Sequence, residues 1–261
     1  MAGLPKGFTR GLLFGALFAL VWGVLADRRR RGAIGGEMIE RAGMVPLVGP
    51  RLSAALSDRL MDGIYRAVAE DVVSQVRSGE LLELASGSGR LAVELAHRAR
   101  DLQITAMAPS ADGVQLAEHR LSSAGLGRQV KVVHGTPTDI PFPDGSFDHV
   151  VCFRGFRKAD APERVLGEVY RVLRPGGKAW IYDFRRETPE EAWDLAREKL
   201  SLVMQQLFDS GIIASWRGAY NEAQIELYAA GSPFKEVTLE ALSAEIVGVQ
   251  VQALTKATFQ R

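Results

Sequence analysis

The segment Leu81-Leu82-Glu83-Leu84-Ala85-Ser86-Gly87-Ser88-Gly89-Arg90 passes from an apolar run through a turn of small residues into a helical pattern. Gly87 and Gly89 let the backbone approach a ligand closely, and the helix start beyond them offers free N–H groups to a negative or polar group. The spacing does not complete the dinucleotide pattern G-x-G-x-x-G, because the third glycine would fall at Ala92. A tight strand-to-helix turn with no ligand would use the same residues. Other chemistries find little support. Cys152 is the single cysteine and the four histidines are scattered, so neither an intramolecular disulfide nor a Cys/His metal cluster is expected. Cys152 reads as a small buried hydrophobe, His97 and His119 as exposed helix residues, and His149 as a bonded residue inside an apolar strand.

The elements that would carry this turn follow from periodicity. Leu60, Ile64, Val68, Val72 and Val76 recur every fourth residue, which is one face of a helix. Short apolar runs at 81–85 and 103–107, and β-branched or aromatic runs at 130–134, 148–153 and 178–184, predict strands. Helical patterns at 89–98, 111–123 and 161–173 lie between them. That alternation implies β-α-β units, hence a doubly wound α/β fold with a mostly parallel sheet and helices on both faces. Ligands of such sheets bind beyond the carboxyl ends of the strands. A long helical stretch at 187–217, a second at 220–230, and closing strands at 233–237 and 248–254 complete the reading.

Composition is that of a globular protein, with 47% hydrophobic and 24% charged residues. Lys and Arg number 32 against 31 Asp and Glu, so no basic footprint for nucleic acid is expected. The N-terminus differs. Residues 11–26 carry no charge and are followed by Asp27 and the arginines 28–31. As a helix the run covers ~24 Å, a little under a hydrocarbon core of ~30 Å. Arginines after the run favour the cytoplasmic side. The reading is a single-pass membrane anchor with the main domain cytoplasmic; a cleaved signal peptide ending near Ala26 and a buried soluble helix are the alternatives. The chain then divides into residues 1–31 (anchor and basic flank), 32–55 (a linker) and 56–261 (the folded domain).

Residues 135–184 contain Asp-Ile-Pro-Phe-Pro-Asp-Gly-Ser-Phe-Asp at 139–148, an apolar strand ending in Cys152-Phe153, and Glu-Val-Tyr-Arg-Val-Leu-Arg-Pro-Gly-Gly-Lys at 168–178. With the glycine turn, in this order and spacing, they resemble the class I S-adenosylmethionine-dependent methyltransferases, and quinone-biosynthesis methyltransferases among them. The resemblance covers residues 60–184 and more loosely the remainder. It implies a Rossmann-like seven-stranded sheet, S-adenosylmethionine as cofactor, and a lid over the acceptor at about 187–232. Pro175, Gly176 and Gly177 serve structure on this reading, as a helix stop and reversal.

The resemblance also implies site positions. Glu83, Ala85, Gly87 and Gly89 would contact the cofactor, with Phe153 at the fourth strand end and Tyr65 closing over the methionine part. Ala108 stands where the family usually has an acidic residue for the ribose hydroxyls, and Thr136 where it often has an Asp near the adenine amine. Asp183 is the candidate base, and Arg154, Arg157 and Arg185 are candidate contacts to an acidic or phosphorylated acceptor. An ion pair would account for Asp183, and core packing for Tyr65, equally well. No metal is implied. The apolar lid and the anchor together point to a small, lipophilic acceptor at a membrane surface, such as a quinone precursor or a lipid. Because Ala108 and Thr136 depart from the family pattern, the alternative is a catalytically inactive, membrane-tethered binding or scaffold module.

Overall fold

A computed structural model describes residues 45–261 apart from Lys235. Helix α1 (Val45–Gln75) buries Leu60, Ile64, Val68 and Val72 on one face, as their spacing requires. Then come β1 (Ser78–Leu84), α2 (Arg90–Arg98), β2 (Asp101–Ala108), α3 (Ala111–Ser123), β3 (Val130–His134), β4 (Phe147–Phe153), α4 (Pro162–Val172) and β5 (Leu173–Phe184). The segment after β5 holds α5 (Glu190–Glu198), α6 (Leu202–Phe208), a π-helical turn (Asp209–Ile213), α7 (Ala214–Arg217) and α8 (Glu222–Ala230), and β6 (Thr238–Ile246) and β7 (Val249–Gln260) close the sheet.

The seven strands lie in the order β3-β2-β1-β4-β5-β7-β6. Strands β1 to β5 are parallel, and β7 inserts antiparallel between β5 and β6. The order reverses between β1 and β4, so the crevice beyond their carboxyl ends is the topological switch point. One apolar cluster packs α1, α2 and the 190–219 segment on one face of the sheet; the other packs α4 and α8 on the opposite face.

Polar ties fix both faces. On the first, Tyr182 of β5 donates its hydroxyl to Asp71 Oδ2 at 2.5 Å, Lys256 of β7 pairs with the same carboxylate at 3.1 Å, and Trp180 Nε1 donates to Gln75 Oε1 at 3.2 Å. On the second, the two motif blocks grip each other. Arg171 donates to the carbonyls of Ile140 and Phe142 at 2.9 and 2.7 Å, and Glu168 accepts from the Ile140 N–H at 2.8 Å. The Asp139–Asp148 loop, whose prolines keep it out of regular structure, is thereby held by side chains of α4.

Several expectations need correction. Helix α1 already runs from Val45, inside the segment read as a linker, and Pro46 falls in its first turn, where a missing N–H is harmless. The long helix expected over 187–217 is broken between Glu198 and Leu202 and re-wound at the π turn. Gln205 Nε2 takes the carbonyls of Arg197 and Leu200, and Arg197 pairs with Asp209 at 2.8 Å, interactions between residues that periodicity does not connect. Among the described residues of 233–237 the expected strand does not form: Pro233 offers no N–H to a ladder, the Glu236 N–H turns back to the Phe234 carbonyl, and β6 starts at Thr238. The anchor run 11–26 lies outside the described residues, and among the described residues no helix is long and apolar enough to cross a membrane.

Candidate functional site

At the switch point, β1 ends in a backbone that turns left-handed at alternate residues: Ala85 at φ 56°, Gly87 at 57° and Gly89 at 74°. Non-glycine residues rarely adopt this conformation, and Ala85 is held there by close packing. A Cβ built on Gly155 would meet the Ala85 methyl at 2.5 Å and Cys152 Sγ at 2.9 Å. The alanine on the first loop therefore goes with a glycine on the loop after β4. Gly89 is buried, and a Cβ there would meet Ala117 of α3 at 3.0 Å, so its role is close helix packing. Gly87 is exposed, and a Cβ there would find nothing nearer than the Ala85 carbonyl at 3.9 Å, so that side of its backbone is open, while its carbonyl lies 3.3 Å from a Cβ built on Gly113.

Glu83 is the last but one residue of β1 and is 2% exposed. Burial pushes its carboxyl up to about 8, against weaker opposing hydrogen bonds from Ser86 and the Ala92 backbone. The Ser86 hydroxyl donates to Glu83 Oε2 at 3.1 Å. Sequence reading missed this serine because the motif was read for its glycines.

The β2 and β3 ends are different in character. Ala108 is fully buried, its methyl within 3.3 Å of a Cβ built on Gly113, and Ser110 spends its hydroxyl accepting from the Gly113 N–H at 3.1 Å. No carboxylate stands where the resemblance leads one to expect the ribose contact. Thr136 is exposed, forms an isolated bridge with Asp139, and places its hydroxyl 3.4 Å from that of Thr138.

The charged groups converge at the ends of β4 and β5. Phe153 is buried, with Tyr65 of α1 edge-on to its ring at 5.3 Å. Arg154 follows in a left-handed conformation (φ 58°) that turns its side chain over the Phe184 ring at 5.4 Å and onto Ser215 Oγ at 2.8 Å. Asp183 is 8% exposed; its Oδ1 accepts from the Phe184 N–H and lies 3.4 Å from Arg157 Nε, while Oδ2 is buried without a partner. Burial raises Asp183 to about 6, held below a higher value by Arg157, that N–H, Arg154 and Lys158. Arg185 pairs with Glu222 of α8 at 3.1 Å. Cys152 is buried with its thiol pushed up to about 12 by burial, so it stays protonated. Of the expected site residues, the structure thus brings Asp183, Arg154 and Arg157 into one cluster and pairs Tyr65 with Phe153, but leaves Thr136 on the surface. Ser215, which meets Arg154 across 61 residues of sequence, carried no signal in the sequence.

A family model described as "Methyltransferase domain" matches residues 82–181, which run from the glycine turn to β5. A demethylmenaquinone methyltransferase of Thermus thermophilus is 30% identical over 192 residues, 73% of this chain and 84% of the relative. A ubiquinone/menaquinone biosynthesis C-methyltransferase of Geotalea daltonii is 31% identical over 57% of this chain and 64% of its own length. Among solved structures, a methyltransferase from Methanococcus maripaludis shares the fold at a TM-score of 0.62 and 18% identity, over 79% of this chain and 89% of that one. One from Aquifex aeolicus does so at 0.57 and 15%, over 80% and 97%. The glycine turn at the switch point thus stands in a chain that belongs to the class I methyltransferase family, with S-adenosylmethionine as its cofactor.

Proposed function

We propose that this chain methylates a carbon of a quinone-type ring, in its reduced hydroxylated form, in the compartment between the β4 and β5 ends and the 190–222 segment. The observation that carries the reading is Asp183: a buried carboxylate with one oxygen held by the Phe184 N–H and the other without a partner. The quinone class comes from the relatives, whose printed names are demethylmenaquinone and ubiquinone/menaquinone methyltransferases.

S-adenosylmethionine fits the residues present, since the exposed, left-handed Gly87 offers open backbone beside Glu83. Glu83, Ala85, Gly87 and Phe153 would hold it, with Tyr65 as a wall. When bound it supplies an electrophilic methyl on a sulfonium, so the chain needs to align the acceptor and needs no covalent nucleophile. Asp183 Oδ2 would take the hydroxyl proton that makes the ring carbon nucleophilic. Once that carbon carries the methyl, its C–H proton leaves to water as the ring regains aromaticity, and the ring oxygen takes back a proton from Asp183. Arg157 orients that carboxylate and keeps it ionised at neutral pH. Ile213 and Trp216, buried over this end of the sheet, exclude water. We further place the reaction at a membrane surface, from the apolar run 11–26 and the arginines behind it alone.

The test is incubation of the full chain with methyl-labelled S-adenosylmethionine and a short-chain demethylated naphthohydroquinone in detergent. Label on a ring carbon is expected; absence of transfer to any quinol, with lipid extracts of cells with and without the gene identical, would sink the quinone reading. The second reading, a cofactor-free binding module, has only Ala108 and Thr136 in its support and is less favoured by the comparisons. Absence of any binding of S-adenosylhomocysteine would restore it.

A further inference from the structure

Arg154, Arg157 and Arg185 lie beneath the 190–222 segment, each half-buried and each with a buried Nε–H that has no hydrogen-bond partner. Arg154 is the plainest case. It touches the neutral Ser215 hydroxyl and the Phe184 ring, and among the described residues no carboxylate forms an ion pair with it, although the Asp183 charge acts on it from nearby. Arg157 faces Asp183 at 3.4 Å without hydrogen-bond geometry, and Arg185 pairs with Glu222, whose side chain is 40% exposed. With Arg185 paired at the rim, the Asp183 carboxylate faces three cations, Arg154, Arg157 and Lys158. Partly buried positive charge in excess of its counter-ions is costly, as is each unpaired buried donor, so this cluster can accept a further anion. Burial accordingly presses Arg154 below the usual arginine range.

We infer that the methyl acceptor carries an anionic group, a carboxylate in the first instance, received by Arg154 together with Arg157. A planar carboxylate takes two parallel N–H donors from a guanidinium, the contact that these side chains leave open. The guanidiniums reach the 190–222 segment: Arg154 bonds Ser215, Arg157 Nη1 lies 3.4 Å from a Cβ built on Gly218, and Arg185 bonds Glu222, while Arg154 also lies near Tyr65. Those three contacts to the segment over the acceptor are the ground for giving the anion to the acceptor, and the S-adenosylhomocysteine titration separates it from the amino-acid end of the cofactor. The inference rests on the reading of this compartment as the acceptor site and narrows the quinone-type ring to one bearing an acidic substituent.

The experiment uses a matched pair, 1-hydroxy-2-naphthoate and 1-naphthol, titrated calorimetrically into the full chain with and without S-adenosylhomocysteine. The naphthoate is expected to bind at least about tenfold more tightly, the usual worth of a hydrogen bond to a charged group. Arg154→Asn, which suits a left-handed backbone, and Arg157→Gln should each shrink that preference to under about threefold, leave S-adenosylhomocysteine affinity unchanged, and Arg154→Lys should restore part of it. Equal affinities in the unsubstituted chain, or a preference that survives both substitutions, would overturn the inference. A loss of S-adenosylhomocysteine binding in Arg154→Asn would overturn it as well, assigning the cation to the cofactor's carboxylate. Should the unsubstituted chain bind no S-adenosylhomocysteine, the methyltransferase reading fails, while the naphthoate titration of the ligand-free chain still decides for or against the anion site.

Discussion

Two carboxyls, Glu83 at the end of β1 and Asp183 at the end of β5, are both buried yet behave differently, and the surroundings explain why. Glu83 has only a serine hydroxyl and backbone amides to offset burial, so its carboxyl, near 8, is neutral at pH 7. Asp183 is nearly as buried but has Arg157, Arg154 and Lys158 nearby, so at about 6 it is mostly ionised. For Glu83 the folded chain holds a proton that the unfolded chain, near 4.5, has released. Its contribution to stability is therefore complete below about pH 4.5 and is lost as pH rises towards 8, at up to ~1.4 kcal/mol per pH unit. Glu83→Gln should flatten that decline: melting temperatures followed by circular dichroism from pH 5 to 8 should fall less steeply than in the unsubstituted chain. A parallel fall in both would mean that another group is responsible. Asp183 carries a kinetic signature of opposite sense, because a base works ionised. The rate should rise with pH through about 6, and Asp183→Asn should remove that limb and lower kcat by about a hundredfold or more while S-adenosylhomocysteine binding holds.

Between elements, the decisive contacts are close approaches that only small residues allow. The loops after β1 and β4 meet where Ala85 faces Gly155, and a methyl on the latter would lie 2.5 Å from the Ala85 methyl. Gly155→Ala should destabilise the protein by about 1–3 kcal/mol, in the range of overpacking a tight site. Ala85→Gly, harmless by itself at a φ of 56°, should return most of it, because the colliding methyl is gone. Denaturant unfolding of the two single variants and the double variant measures this coupling; simple additivity would show that the Cys152 sulfur at 2.9 Å is the real obstacle. The same scale explains the two motif blocks. Asp139–Asp148 has no helix or ladder to satisfy its backbone, and Glu168 and Arg171 supply the missing partners from the next helix. The spacing of the blocks in sequence is the length of β4 plus the connection that brings α4 back beneath the loop.

At the scale of the molecule, one sheet with apolar clusters on both faces holds the glycine turn and the charged cluster in a common frame. The cofactor should therefore stabilise the entire fold. At a hundred times its Kd, S-adenosylhomocysteine adds about 2.7 kcal/mol, which for a chain of this size raises the melting temperature by about 5–10 °C. A thermal shift within that range shows that the cradle functions despite Ala108; no shift at millimolar concentration means that the missing ribose carboxylate has abolished binding.

Much of this molecule is legible in its residues. Five parallel strands and the turn between β1 and α2 follow from hydrophobic period and from Gly and Pro, because those are local properties of the backbone. Pro175, Gly176 and Gly177, expected as a helix stop and reversal, lie instead within β5, after α4 has ended at Val172. β3 and α3 fall on their expected bounds, 130–134 and 111–123. Local rules do not reach contacts between distant segments. The break after Glu198, secured by Gln205 and by Arg197 on Asp209, could not be read from a run of uniformly helix-forming residues. Nor could the start of β6 at Thr238, which pairs with Thr258 twenty residues further on. The site divides the same way. The glycines and Glu83 announce themselves by position in a strand-turn-helix unit. That Glu83 is neutral, that Asp183 keeps a bare oxygen, and that Arg154 leans on Ser215 depend on what burial removes from water and what the opposite segment supplies, and only the folded chain decides both.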